Sequence, residues 1–312
     1  MQYTPGNPQA PEASLKDGDA PLPGDPRSRP GRGTGTVLVT GATGFLGHAV
    51  CRLLNERRIR HRVLVRPRSR ARAPEGELTW TIEGDLLQPR TLIPAAEGVD
   101  TVLHLAGLLR GPRADLRAVH VDGTRHLLEA IGDARLVAMS SDTVLRSRRS
   151  AYAATKASME ELVAGRAVVL RPPMLLGPGS PHLDELRRLG NMPFVPVPAG
   201  AAKRAPVHVD DVAAAVLAGI EAPLGVYDLP GAEEVDFVEL IRRAAGRSPR
   251  TLRIPAGIEA GALRAMGRLS RERAERLGEK LAGMCEAVTP DGAAAARELG
   301  WAPRGLDAVF AE

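Results

Sequence analysis

The segment "VLVTGATGFLG", residues 37–47, constrains the fold more than any other part of the chain. It begins with an apolar, β-branched run of the length of a buried strand, and apolar residues at helical spacing follow it. Gly41, Gly44 and Gly47 lie between the two. In a strand–turn–helix unit such glycines permit a tight turn, let a pyrophosphate approach the backbone and let the helix pack on the sheet. The helix N-terminus adds free N–H groups and a positive dipole end. The segment therefore predicts a dinucleotide-binding turn, with a plain tight turn as the alternative.

Short apolar strands alternate with helices from this segment to Arg171. Helices are predicted near residues 45–54, 116–131 and 152–163. The predicted strands are residues 36–40, 61–65, 78–83, 100–105, 134–139 and 167–171. This order implies parallel strands with helices on both faces of the sheet. We therefore predict an α/β fold, a Rossmann-type doubly wound parallel sheet with a small, mostly helical C-terminal substrate lobe.

The chain divides into three predicted regions. Residues 1–35 hold seven prolines, six glycines and few large apolar side chains, so they cannot bury enough surface to offset the entropy of ordering. We expect a disordered tail there, a dinucleotide-binding domain over residues 36–176, and a substrate lobe over residues 177–312 that is interleaved with the sheet. The lobe is expected to contain a long helix at 258–281 and to cover the carboxyl edge of the sheet, where ligands bind.

The composition argues against several classes of function. The net charge of +5 is small for a dedicated nucleic-acid binder, and an aromatic content of 3% leaves few rings for stacking bases. The two cysteines, Cys51 and Cys285, have neither metal-ligand spacing nor the pattern of a disulfide framework, so a reducing compartment fits. No apolar run approaches the length of a membrane span, and the N-terminus has no secretory pattern. We expect a cytoplasmic protein without a nucleic-acid partner or a membrane span.

The end of the second predicted strand bears on the choice of cofactor. An NAD site usually has Asp or Glu there, bound to the ribose hydroxyls, whereas this chain has Arg66. Eight arginines and no acidic residue lie between Arg57 and Arg72. An arginine accommodates the 2′-phosphate of NADP by a charge-assisted contact. We predict that NADP is preferred over NAD. The alternative is a solvated basic loop in which Arg66 points to solvent.

Six motifs in a characteristic order are similar to those of one protein family. They are "TGATGFLG" (40–47), "GDL" (84–86), "HLAG" (104–107), "YAATK" (152–156), "LRPPMLLGPG" (170–179) and "VHVDDVA" (207–213). With these motifs the chain resembles the extended short-chain dehydrogenase/reductases, the NAD(P)-dependent epimerase/dehydratase group, over about residues 36–310. The resemblance implies a cofactor site formed by Gly41, Thr43, Gly44, Phe45, Leu46, Gly47, Arg66, Asp85, Leu86, Ala106, Gly107, Lys156, Pro172 and Pro173.

The same resemblance implies that Tyr152 is the catalytic acid/base and that Lys156 is its partner. Their spacing places both side chains on one helix face. An ammonium group and the positive nicotinamide favour the phenolate, so we expect the pKa of Tyr152 to lie below its usual value of about 10. A serine hydroxyl would polarise the substrate carbonyl; Ser141 is the predicted residue, and Ser140 is second. A Tyr-x-x-x-Lys pattern also arises by chance in helices, with the lysine solvated.

Other polar residues are weighed against structural roles. His104 adjoins the predicted cofactor strand and is expected to be a packed, structural histidine. His208 and Asp210 are expected on one strand face, where with Asp211 they resemble a metal cluster, but without a further ligand structural hydrogen bonding is favoured. Three arginines in the loop before Tyr152 either meet an anionic substrate or are solvated: Arg146, Arg148 and Arg149.

The chain departs from the nucleotide-sugar members of the group. Met174 stands where those members usually have an asparagine, and Arg204 matches their phosphate-binding arginine without its usual neighbours. A smaller or more apolar carbonyl compound therefore fits the segment 174–176 better. We predict an enzyme that transfers hydride between NADP or NAD and a ketone or secondary alcohol, with epimerisation as a variant. The alternative is a non-catalytic NADPH-binding regulator or a protein like the accessory subunits of respiratory complex I. A homodimer is a possible assembly in this family.

Overall fold

The computed structural model describes residues 35–146, 150–254, 283–288 and 290–310. Three features predicted from the sequence therefore lie outside the described residues. They are the disordered tail except for Gly35, the long helix at 258–281, and the loop arginines Arg148 and Arg149.

A seven-stranded sheet forms the centre of the molecule, and every strand pairs with its neighbours in parallel. Its strands are β1 (Val37–Thr40), β2 (His61–Val65), β3 (Thr79–Glu83), β4 (Thr101–His104), β5 (Arg135–Met139), β6 (Ala167–Arg171) and β10 (Gly225–Asp228). They lie in the order β10-β6-β5-β4-β1-β2-β3. This order confirms the predicted Rossmann-type, doubly wound sheet.

Helices cover both faces of this sheet. The α-helices are α1 (Phe45–Glu56), α2 (Leu92–Ala96), α3 (Arg113–Arg117), α4 (Gly123–Ile131), α5 (Thr143–Arg146), α6 (Ala151–Val163), α7 (Pro181–Gly190), α8 (Val209–Ala218), α9 (Phe237–Ala245), α10 (Ala293–Leu299) and α11 (Leu306–Phe310). Successive strand residues point to opposite faces, so Val39 joins the core under α1 and α8 whereas Leu38 joins the core under α2, α4 and α6. Both faces are buried, which is why the strands read as continuous apolar runs.

The chain reverses its direction of winding at β1. The strands β2 and β3 lie on one side of β1, and β4, β5, β6 and β10 lie on the other. In the register of β1 with β4, Thr40 stands opposite His104 at the carboxyl ends of both strands. A crevice forms at such a switch point because the two following loops diverge. The glycine turn and the "HLAG" loop therefore flank the same crevice.

The described residues of the third predicted region, 177–312, contribute both to this sheet and to a smaller lobe. Strand β10 returns to the central sheet, and α8 packs against α1. The lobe has its own apolar core under α7 and α9. Its short strands form two parallel pairs: β7 (Leu175–Leu176) with β9 (Val207–His208), and β8 (Val195–Pro198) with β11 (Thr251–Ile254). Among the described residues, no helix combines the length and apolarity needed to cross a bilayer.

Candidate functional site

The glycine turn between β1 and α1 has the geometry that its sequence predicts. Gly41 has a left-handed backbone, with φ of +74°, and a Cβ there would lie 2.5 Å from the backbone nitrogen of Ala106. A Cβ on Gly47 would lie 2.3 Å from the carbonyl oxygen of Gly41. Both positions therefore exclude a side chain. Gly44 is exposed, and as the N-cap of α1 it leaves the first N–H groups without a side-chain cap. This bare, N–H-lined cradle fits a dinucleotide pyrophosphate.

The other predicted cofactor residues lie at the same edge of the sheet. Thr43, Phe45 and Leu46 are half-buried in the turn and in the first residues of α1. Asp85 and Leu86 follow β3, Ala106 and Gly107 follow β4, and Pro172 and Pro173 follow β6. The "HLAG" loop also adjoins helix α6, since a Cβ on Gly107 would lie 3.4 Å from Nζ of Lys156. The parallel sheet thus brings these loops to one side of the molecule.

The basic segment from Arg57 to Arg72 is partly neutralised by its neighbours. Arg66 is half-buried, directly follows β2 and precedes a 3-10 helix at Pro67–Arg72. Arg58 pairs with Glu77 at 3.0 Å. Elsewhere in this segment, Arg62 donates to the carbonyl oxygen of Glu97 at 2.6 Å, and Arg70 lies 3.6 Å from Glu83. Among the described residues, Arg66 has no hydrogen bond or ion pair with another side chain, so its guanidinium is available to a ligand.

Helix α6 presents Tyr152 and Lys156 to this edge. Ser150 caps the helix by accepting a hydrogen bond from the backbone N–H of Ala153 at 3.0 Å. Lys156 is buried, and its Nζ donates to the carbonyl oxygen of Met139 at 2.7 Å. Burial lowers the pKa of Lys156 to about 8, and the nearby carboxylate of Glu160 opposes that effect. The lysine is therefore fixed against β5, directly beneath the loop that carries the two candidate serines.

The Tyr152 hydroxyl has a raised pKa, not the lowered one expected from the sequence. Burial raises its pKa to about 12, the Ser141 side chain acts in the opposite direction, and the Asp142 carboxylate raises it further. The lowering expected from the Lys156 ammonium does not appear, because burial, which favours the neutral phenol, is the largest effect on this pKa. At neutral pH the phenol is therefore protonated.

The two candidate serines have different partners. Ser140 donates from Oγ to Oε1 of Glu160 at 2.5 Å. Ser141 accepts at Oγ from the backbone N–H of Thr143 at 3.3 Å and from its hydroxyl at 3.1 Å. The Ser141 side chain also acts on Tyr152, whose pKa it lowers. The structure therefore brings Ser141, and not Ser140, to the tyrosine.

Two buried histidines lie behind the site. Nδ1 of His104 is 2.7 Å from the hydroxyl of Thr40, and Nε2 is 3.0 Å from that of Thr124. These contacts agree with the structural role predicted for His104, and burial lowers its pKa to about 3. His120 was not predicted: its ring stands edge-on to Tyr152 with centroids 5.6 Å apart. It lies in a π-helical turn, Ala118–Asp122, for which the sequence carries no clear signal.

His120 ties the "HLAG" loop to helix α6. Its Nε2 accepts the backbone N–H of Leu108 at 3.0 Å, so the proton of the neutral ring is on Nδ1. Nδ1 then donates to the hydroxyl of Thr155 at 2.8 Å. Burial and the charge of Lys156 lower the pKa of His120 to about 3. The ring is neutral and held on both sides, which suits a packing role beside Tyr152.

The remaining candidates serve mainly structural contacts. Arg204 is buried, and its guanidinium donates to main-chain oxygens, among them those of Gly283 at 2.9 Å and Met284 at 2.8 Å. Arg146 pairs with the buried Asp142 at 2.6 Å. The predicted strand face of His208 and Asp210 is wrong, because β9 ends at His208, whose Nδ1 accepts the Asp210 N–H at 3.2 Å as the N-cap of α8. In the described part of the chain, no group of three or more potential ligands could hold a metal ion.

Comparisons with known proteins identify the family of this chain. The model of the NAD dependent epimerase/dehydratase family matches residues 37–227. A ceramide reductase of Caulobacter vibrioides is 35% identical over 239 residues, which cover 71% of this chain and 74% of that protein. A 4-hydroxy-2-methyl-3-oxo-4-farnesyl-3,4-dihydroquinoline-1-oxide ketoreductase of Stigmatella aurantiaca is 30% identical over 321 residues, covering 88% of this chain and 95% of that protein.

A solved structure supports the same assignment. The crystal structure of gox2253 superposes with a TM-score of 0.72 at 28% identity, covering 89% of this chain and 96% of that one. The chain therefore belongs to the NAD dependent epimerase/dehydratase family and is an NAD(P)-dependent enzyme of the oxidoreductase or epimerase type.

Proposed function

We propose that this enzyme is an NADP-preferring reductase that converts a ketone in an apolar molecule to a secondary alcohol. The observation that carries the proposal is the pair of Tyr152 and Lys156 on one face of α6, with Nζ of Lys156 on the carbonyl oxygen of Met139 at 2.7 Å, just before Ser141 at the sheet edge formed by the glycine turn. A protein that only binds a dinucleotide has no use for such a pair. With Lys156 buried one helical turn after Tyr152, the three side chains form a set suited to proton transfer.

Tyr152 is protonated at neutral pH, so it suits the role of proton donor in a reduction. Bound NADPH would supply hydride to the carbonyl carbon. Ser141 would donate a hydrogen bond to the carbonyl oxygen and stabilise the negative charge that develops there. Tyr152, with a pKa raised to about 12, holds its proton at neutral pH and would pass it to the same oxygen. The Lys156 ammonium would then stabilise the resulting phenolate.

The preference for NADP rests on Arg66. It directly follows β2, where an NAD site usually carries a carboxylate, and it has no side-chain partner among the described residues. Such a guanidinium can bind the 2′-phosphate through charge-assisted hydrogen bonds. Arg68 lies two residues further on and is exposed, so it provides a matched control.

An apolar substrate is supported by the loops around the site. Leu109 and Leu145, in the segments after β4 and β5, are 59% and 41% exposed, although such side chains usually avoid water. The adjacent positions of β4 and β5 place both leucines at the site's edge of the sheet. Arg204, the candidate for binding a sugar diphosphate, has its guanidinium on main-chain oxygens. The ceramide and farnesyl-quinoline reductases named above also act on apolar molecules by their names.

Cofactor binding is the first test of the proposal. The purified protein is titrated with NADPH and with NADH by nicotinamide fluorescence, alongside Arg66→Asp and Arg68→Asp. We expect Arg66→Asp to raise the Kd for NADPH about tenfold or more and to leave NADH nearly unchanged. Arg68→Asp should have a much smaller effect on both. Equal losses of NADPH affinity in the two variants would contradict the role of Arg66.

Turnover tests the chemistry. NADPH oxidation is followed with long-chain 3-oxo compounds, with small ketones and with a UDP-sugar, for the wild type and for Tyr152→Phe. We expect turnover with the long-chain ketones, lowered in Tyr152→Phe at least a hundredfold with NADPH affinity kept. Full turnover in Tyr152→Phe would exclude it as proton donor. NADPH binding without turnover of any carbonyl compound would favour the regulatory alternative, and activity on the UDP-sugar alone would favour epimerisation.

A further inference from the structure

A buried carboxylate, Glu160, lies on the catalytic helix one turn beyond Lys156. Its Oε1 accepts a hydrogen bond from Oγ of Ser140 at 2.5 Å. Arg171, the last residue of β6, binds both carboxylate oxygens, Nε to Oε1 at 2.9 Å and NH2 to Oε2 at 2.5 Å. The side chains of Glu160 and Arg171 are only 11% and 20% exposed. Arg171 also reaches Asp228 of β10 at 3.4 Å.

These contacts join the catalytic helix to the strand ends that carry the site. Ser140 directly precedes Ser141 in the chain. Arg171 directly precedes Pro172, whose carbonyl oxygen accepts the backbone N–H of Asp142 at 3.0 Å. The loop with Ser141 is thus held from both sides. A bidentate arginine–carboxylate pair has a fixed geometry, so it can set the distance between α6 and this loop.

Glu160 is also the carboxylate that acts on the charge of Lys156. Tyr152, Lys156 and Glu160 follow one another at intervals of four residues, so they share one face of α6. Among the described residues, the ionisable groups of other elements that interact with Lys156 are His104, the last residue of β4, and His120 of the π-helical turn. Both histidines are neutral at physiological pH, and the Tyr152 phenol is neutral as well. The carboxylate of Glu160 is what favours the ammonium against the cost of its burial.

We propose that Glu160 is a positioning residue, whose carboxylate holds Ser141 against Tyr152 through Ser140 and keeps the Lys156 side chain in its ammonium form. The first role rests on the proposed function, because it matters only if Ser141 takes part in turnover. The second role concerns the protein itself and needs no substrate. A pair that only tied α6 to β6 would affect stability alone and would leave the titration of Lys156 unchanged.

The titration of Lys156 tests the second role. The chain has four lysines, Lys16, Lys156, Lys203 and Lys280, so an NMR spectrum with ¹³Cε-labelled lysine has few signals, and Lys156→Arg assigns the one of interest. We expect Glu160→Gln to lower the titration midpoint of Lys156 by about one pH unit or more. Ser140→Ala, which keeps the carboxylate, should leave that midpoint unchanged. The same midpoint in Glu160→Gln and the wild type would overturn this role.

A second variant covers the case in which Glu160→Gln does not fold, as judged by circular dichroism. Glu160→Asp keeps the charge but withdraws it by one methylene, so the midpoint of Lys156 should fall by a smaller amount. An unchanged midpoint in Glu160→Asp would overturn the proposal in that case.

Kinetics test the first role. We expect Ser140→Ala to lower kcat about tenfold with KM nearly unchanged, and Ser140→Thr, which keeps the hydroxyl, to restore much of it. A wild-type kcat in Ser140→Ala would overturn the positioning of Ser141. If the wild type turns over no carbonyl substrate, the proposed function and this first role fail together. The titration of Lys156 still decides the second role.

Discussion

Acidification should destabilise this protein through His104 and His120. Both rings are buried and neutral, with pKa values lowered to about 3, whereas a histidine of the unfolded chain has its ordinary value of about 6.5. As the pH falls below about 6.5, the unfolded state takes up two protons that the folded state does not. Because their folded pKa is lowered, these histidines contribute stability that is present above pH 6.5 and is lost between about pH 6.5 and 3.

The size of the effect follows from the two pKa values. Each histidine lowers the free energy of unfolding by up to about 1.4 kcal/mol per pH unit once the unfolded chain is protonated. Between pH 7 and pH 5 this amounts to about 2 kcal/mol for each ring and about 4 kcal/mol for the pair. A domain with a stability of about 5–15 kcal/mol would lose a large part of it.

Urea unfolding at pH 7, 6 and 5, followed by circular dichroism, measures this loss. Carboxylates also titrate in this range, so the wild type is compared with His104→Gln and His120→Gln, whose amides can replace the ring hydrogen bonds. Each variant should show about 2 kcal/mol less loss between pH 7 and pH 5 than the wild type. Parallel curves for all three proteins would refute the reasoning, because they would mean that neither ring changes its pKa on folding.

Three further substitutions test the turn, the site and the core. Gly47→Ala should weaken NADPH binding in a fluorescence titration at least tenfold, because its Cβ would meet backbone at 2.3 Å, whereas Gly200→Ala, with no atom within 4 Å, should bind normally. Asp142→Asn removes a charge that raises the pKa of Tyr152, so the phenolate absorbance of this tyrosine, at about 295 nm, should appear at lower pH than in the wild type. An unchanged titration curve of absorbance against pH would contradict this electrostatic effect. Leu54→Ala, at a fully buried position, should cost about 2–5 kcal/mol in urea unfolding, and a cost well below that range would mean that the core closes around the lost volume.

The central sheet could be predicted from the sequence because its strands are buried on both faces. Such strands read as short apolar runs, and the predicted bounds of β2 and β6 match the structure. The lobe was less predictable. Helix α7 and the pair of β8 with β11 were missed, and for β8 the reason is that Pro196 and Pro198 argue against a strand.

The site was predictable to the level of segments, because parallel strands bring their carboxyl ends to one edge. The glycine turn and the Tyr152–Lys156 pair follow from local spacing, and both have the expected placement. The pKa of Tyr152 did not follow, since it depends first on the burial of the phenol in the folded chain. His120 was missed because its partners, Leu108 and Thr155, belong to segments that meet only in the folded chain.

The choice between the two serines shows where local pattern ends and tertiary contact begins. Neighbouring residues at a strand end point to opposite sides, so only one of Ser140 and Ser141 can meet Tyr152. The spacing of α6 places Glu160 on the same face as the tyrosine, but the sequence does not predict that its carboxylate accepts the hydrogen bond of Ser140. That follows from Arg171, which reaches Glu160 because β6 lies beside β5. The order of the strands therefore determines that the Ser140 hydroxyl binds Glu160, whereas the Ser141 hydroxyl remains on the side of Tyr152.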